Sequence, residues 1–109
     1  MKLEFDNIEE KVTPHFNGGE GEFIARIFND GVNKILRGKL EPGSSIGYHI
    51  HDTSSEIIYI LSGNGKMRIE DTEERLTAGD CHYCMKGQSH GLINDSDEDL
   101  IFFAVVPQQ

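Results

Sequence analysis

The chain has no tryptophan, two cysteines and three prolines among its 109 residues. Two thiols cannot build the disulfide framework on which small secreted domains depend, so the fold must rest on an apolar core. Basic residues are scarce as well, ten against nineteen acidic ones, for a formal net charge of -9 and a pI near 4.8. Such a surface repels phosphate backbones and anionic headgroups, which argues against nucleic acid and membranes as partners. The longest apolar run, Leu100 to Val106, falls far short of the roughly 20 residues that span a bilayer. Met1 to Glu10 contains no apolar stretch able to act as a signal peptide, and the expected location is the cytoplasm.

A long amphipathic helix is also missing. Apolar residues come in short runs broken by Gly, Pro, Asn and Asp, the pattern of an all-β sandwich or barrel, and the 12 glycines point to many turns. The length suits one domain, residues 1–109, with residues 1–21 as an N-terminal arm or edge strand. Strands are expected at Glu22–Phe28, Lys34–Leu40, Gly47–His51, Ile57–Leu61, Lys66–Glu70, Cys81–Met85, His90–Ile93 and Leu100–Val106. Asn29-Asp30-Gly31 and Pro42-Gly43 mark reversals, and Ser62-Gly63-Asn64-Gly65 reads as a hairpin turn. Alternation puts Met67 and Ile69 inward, with Ile58 and Ile60 on the same wall and Tyr59 and Leu61 outside. Leu100–Val106, apolar throughout, is expected to be buried on both faces.

Cys81-His82-Tyr83-Cys84 has the spacing of a redox pair, yet on a strand residues three apart face opposite ways, so the reading is two unrelated thiols. Either His82 with Cys84 or Cys81 with Tyr83 faces inward, and spacing alone leaves the choice open. An inward His82 or Tyr83 is a candidate acid, base or substrate contact. Arg26 and Arg37 are expected to pair with surface acids, and His15 to be solvated.

The chemistry concentrates in two fragments. His49 and His51 stand two apart and project from one face of a strand. The Asp52–Ser55 turn resets the phase so that Glu56 also faces inward, and His90 arrives from a distant strand. Three imidazoles and a carboxylate suit a divalent first-row transition ion.

Gly43, five residues, His49-x-His51, four residues, Glu56, six residues and Gly63 resemble the first signature of the cupin superfamily. Gly79, five residues, Met85-x-Gly87, two residues, His90, three residues and Asn94 are similar to its second, with Met85 where the pattern has proline. The resemblance, covering about half the chain, is to the small single-domain microbial form. It implies a double-stranded β-helix or jelly-roll barrel, and His49, His51, Glu56 and His90 as ligands of one ion among iron, manganese, nickel, copper and zinc. It further implies a homodimer with a small-molecule ligand or substrate in the barrel. Asn94 and the signature glycines read as structural. The expected function is a metal-dependent enzyme on a small organic molecule, dioxygenase-like chemistry being favoured over isomerase or lyase because no base is assigned to the interior. The alternative is a non-catalytic metal- and small-ligand-binding barrel.

Overall fold

A computed structural model describes residues 1–109. Ten strands form two antiparallel sheets: β1 (Lys11–Pro14), β2 (Glu22–Asn29), β3 (Asn33–Leu40), β4 (Ser45–Ile50), β5 (Glu56–Ser62), β6 (Asn64–Ile69), β7 (Thr72–Thr77), β8 (Cys81–Cys84), β9 (Ser89–Ile93) and β10 (Leu100–Pro107). The larger sheet has the order β1-β2-β3-β10-β5-β8 and the smaller β4-β9-β6-β7. The two sheets face each other as the jelly-roll barrel that the sequence predicts. No helix is long and apolar enough to cross a membrane.

The core lies between the sheets, where Phe23, Leu36, Leu40, Ile58, Ile60, Met67, Leu92, Leu100 and Phe102 are buried. Strand alternation explains most of it: Ile58 and Ile60 are buried while Tyr59 and Leu61 are exposed. Met67 is fully buried and Ile69, nearer the strand end, half-buried. Phe102 stacks on Phe23, and Phe23 on Phe16 from a short 3-10 turn, so the core extends to the N-terminal arm.

Several expectations need correcting. Ser62–Gly65 does not close a hairpin, because β5 and β6 belong to different sheets. Gly63, at φ 84°, turns the chain from one sheet to the other, and the hairpin lies further on, where Ile69 pairs with Thr72 around Glu70-Asp71. Strand β7 is absent from the sequence reading because Leu76 is its only buried residue. In β10 only one face is buried; Ile101, Phe103 and Val105 on the other are half-exposed. Part of the arm is an edge strand, β1 on β2, and the residues before it are tied down by two arginines. Arg26 donates to the Ile8 carbonyl and pairs with Glu10, and Arg37 pairs with Asp6 at 3.0 Å while lying over the Phe5 ring.

Candidate metal centre

His49 and His51 face the interior only because β4 changes phase. In the β4–β9 ladder Ile46 pairs with Leu92 but His49 pairs with His90, so β4 carries one extra residue at Gly47-Tyr48. Ile46 is buried, and simple alternation from it would turn both histidines outward. The bulge reverses that, leaving Tyr48 exposed beneath the Arg68 guanidinium. His90 then stands directly across the ladder from His49, and Glu56 opens β5 on the facing sheet.

The four side chains meet. His51 Nε2 lies 3.1 Å from His49 Nε2 and 3.0 Å from His90 Nε2, and Glu56 Oε1 lies 3.1 Å from His51 Nε2 and 2.9 Å from His90 Nε2. All four donor atoms lie within 4.8 Å of one another, a group that can hold a metal ion.

Outer partners decide what these atoms present. His49 Nδ1 donates to the Gly47 carbonyl at 2.6 Å, so in the neutral ring Nε2 carries a bare lone pair. His51 Nδ1 bonds the buried Ser54 hydroxyl at 2.9 Å. His90 is held through two bonds in series: Glu74 Oε1 accepts from His82 Nδ1 at 2.6 Å, and His82 Nε2 accepts from His90 Nδ1 at 3.0 Å. The carboxylate therefore sets the tautomer of both rings and leaves His90 Nε2 free to donate its lone pair. Lone pairs converging at about 3 Å repel unless a proton or a metal cation is shared among them. Separations of 2.9–3.1 Å match the roughly 3.0 Å cis edge of an octahedron with ~2.1 Å bonds, so the donor set fits a divalent transition ion.

Burial raises the Glu56 pKa, but its contacts with the His51 and His90 imidazoles outweigh it and bring the carboxyl down to about 2 in the absence of an ion. Burial lowers His49, against the pull of the Gly47 carbonyl, and lowers His82 despite Glu74. Both groups favour the states that bind metal or support a ligand: carboxylate and neutral imidazole.

The pairing of β8 with β5 places His82 level with Ile58 and Cys84 level with Glu56, both inward. Tyr83 is 56% exposed on the outer face, away from the other site candidates. Cys84 is buried and Cys81 exposed; burial, helped by the charges of Glu56 and Glu70, pushes the Cys84 thiol up to about 11. Both cysteines are free, consistent with two unrelated thiols. His15 is exposed, its Nδ1 on the Gly19 carbonyl at 3.1 Å. Asn94 is fully buried and ties Leu40, Glu98 and Ser96 together.

His49, His51 and Glu56 line a cavity of about 300 Å³ whose wall includes Phe16, Phe23, Ile46 and Phe102. Lys11 and Lys34 also line it, two residues that the sequence reading passed over. Glu74 was missed as well, since β7 has no alternation to show which of its acids turns inward.

Residues 36–106 match the Cupin domain family. The chain belongs to the cupins. An oxalate-binding protein of Thermotoga maritima is 33% identical over 106 residues, covering 88% of each chain. An uncharacterised protein of Methanocaldococcus jannaschii is 30% identical over 99 residues, 86% of this chain and 75% of the other. The crystal structure of a protein described as a predicted oxalate decarboxylase, also from Thermotoga maritima, superposes with a TM-score of 0.92 at 30% identity over 100% of both chains. This cupin thus shares its whole fold with that crystal structure.

Proposed function

We propose that His49, His51, Glu56 and His90 hold one divalent ion, iron, manganese, nickel, copper or zinc, and that the protein is a metal-dependent enzyme acting on a small organic acid. The observation that carries this reading is the convergence of three imidazole nitrogens and one carboxylate, three of the four residues lining a partly apolar cavity. A bound ion supplies Lewis acidity or a route to oxygen activation. The protein's own groups do the rest. The Gly47 carbonyl, Ser54 and the Glu74–His82 pair orient the ligating rings, Glu56 contributes the negative charge, and the phenylalanines offer a ligand an apolar wall.

The sequence argument for oxygen chemistry rests on an interior without basic residues. Lys11 and Lys34 line the cavity, so that argument lapses and metal identity becomes the guide to reaction class. His82 lies behind His90 and does not line the cavity, which makes it a positioning residue.

The test is elemental analysis of tag-free protein beside a His51→Ala/His90→Ala variant. Near-stoichiometric iron or manganese, lost in the variant, puts oxygen uptake first; zinc or nickel puts isomerase and lyase assays first. A wild type that takes up none of the five ions overturns the metal site.

A second reading, a barrel that holds a metal and a small ligand without turnover, draws support from the name of the oxalate-binding relative. It predicts saturable binding and no consumption of ligand. The outer face of the large sheet, with Ile57, Tyr59, Leu61 and Tyr83 exposed beside half-exposed Phe103, supports pairing with a second copy of the chain. Light scattering after gel filtration reads that directly.

A further inference from the structure

Strand register puts one lysine beside the metal-ligating cluster. Lys34 shares strand parity with the buried Leu36, Gly38 and Leu40, so it lies on the inner face of the large sheet. It pairs with Val106, and the β10–β5 ladder, which pairs Val105 with Ile57, sets Val106 level with Glu56. Lys34, Val106 and Glu56 therefore form one row across the sheet, and all three line the cavity with His49 and His51. Two strand spacings, about 10 Å, separate the Lys34 backbone from that of Glu56. The lysine's four-carbon stem from one side and the carboxylate from the other project into that space.

No acidic side chain holds the Lys34 ammonium. The ion pairs of lysine and arginine join Lys2 to Glu4, Arg26 to Glu10, Arg37 to Asp6, Lys66 to Glu73 and Arg75 to Asp95, and Lys34 is in none of them. Its partners on the neighbouring strands, Asn29 and Val106, are uncharged, and Lys34 itself is half-buried. Lys11, the other lysine along the cavity, is exposed and level with Gly38, further along the sheet from Glu56. Lys34 alone brings a positive charge to the level of the ligands.

The charges at the site define what fits. Glu56 cancels one of the two charges of a divalent ion, the imidazoles being neutral, and Lys34 adds one. Two positive charges remain, and in a cavity less polar than water a dianion offsets them better than a monoanion or a neutral molecule. We propose that Lys34 selects the ligand of this centre: a short dicarboxylate of about two to four carbons, with one carboxylate facing His49, His51 and Glu56 and the other on the Lys34 ammonium. The inner end rests on the metal-centre reading. Lys34 is a specificity-determining residue and not a metal ligand, so its replacement leaves the ion in place.

Calorimetric titration with malonate and its monoamide, malonamate, tests this on manganese-loaded and manganese-free protein, with elemental analysis of each sample. The two acids are close in shape and differ by one carboxylate. Malonamate gives its single carboxylate to the ion, so Lys34→Met should weaken malonate about tenfold and malonamate less than about threefold. Lys34→Arg should restore most of the malonate affinity, and Lys39→Met, on the opposite face of β3, should change neither acid. Manganese content should be equal in all variants. Lys34→Met protein that keeps wild-type malonate affinity, loses both acids equally or loses its manganese overturns the proposal, as does a wild type that binds no malonate. Failure of the metal reading shows separately, as wild type that takes up no manganese. There, a malonate preference that still depends on Lys34 upholds its role, and the lack of one overturns it.

Discussion

His82 Nε2 lies 3.0 Å from His90 Nδ1, one buried imidazole accepting a hydrogen bond from another. Because Glu74 holds the far side of His82, a half-exposed carboxylate on β7 controls which nitrogen of a ring on β9 is free. Glu74→Gln should lower metal affinity about tenfold, since the amide holds His82 less firmly and no longer dictates its tautomer. Thermal stability of the metal-free protein should barely move. A competition titration against a chelator measures the first and a melting curve the second; unchanged affinity would show that the relay is only packing.

Acid should destabilise the metal-free protein in two stages. His49 and His82 have folded pKa values below the ordinary 6.5, chiefly through burial, so the unfolded chain takes up their protons first. Stability from these groups is complete above about pH 6.5 and declines as the pH falls below it. Glu56, drawn down to about 2 from 4.5, contributes stability above about pH 4.5 that is lost as the pH falls toward 2. The melting temperature should therefore begin to drop below about pH 6.5 and drop again between about pH 4.5 and pH 2. A flat profile contradicts the assigned protonation states.

Asn94 ties the end of β3 to the loop between β9 and β10 from a fully buried position. Its Nδ2 donates to the Leu40 and Glu98 carbonyls, each at 2.7 Å, and its Oδ1 accepts from Ser96. Asn94→Ala strands the Leu40 carbonyl in the interior and should cost about 2–4 kcal/mol in urea unfolding. A loss below about 0.5 kcal/mol would mean that water replaces the amide.

Gly47 supports both the bulge and the cavity wall. A Cβ there would overlap the Asn17 carbonyl in the arm, while the Gly47 oxygen holds His49. Gly47→Ala should cost more than about 1 kcal/mol and also weaken metal binding, because the carbonyl that orients His49 would shift with the arm. Unchanged binding with lowered stability would separate the arm from the ligand site.

Much of the centre was legible in the chain. A period of two places His49 and His51 together, and the spacing of the glycines, Glu56 and His90 carries the family likeness and with it the barrel. Those are local properties, set by the chain's own geometry. The choice of His82 over Tyr83 needed the pairing of β8 with β5, because alternation fixes which residues share a face but not which face is inside. The bulge at Gly47-Tyr48 was equally hidden: one unpaired residue is defined only against a partner strand. Glu74 and the lysines were invisible for the same reason, since long polar side chains on strands β1, β3 and β7 acquire a direction only when a neighbour is buried beside them. The residue types and their spacing thus determined the family fold and a His-His-Glu-His set that could hold a metal. Strand register between distant segments decided how the ligands are oriented and where the cavity's charges stand, because a ladder depends on contacts far apart in the chain.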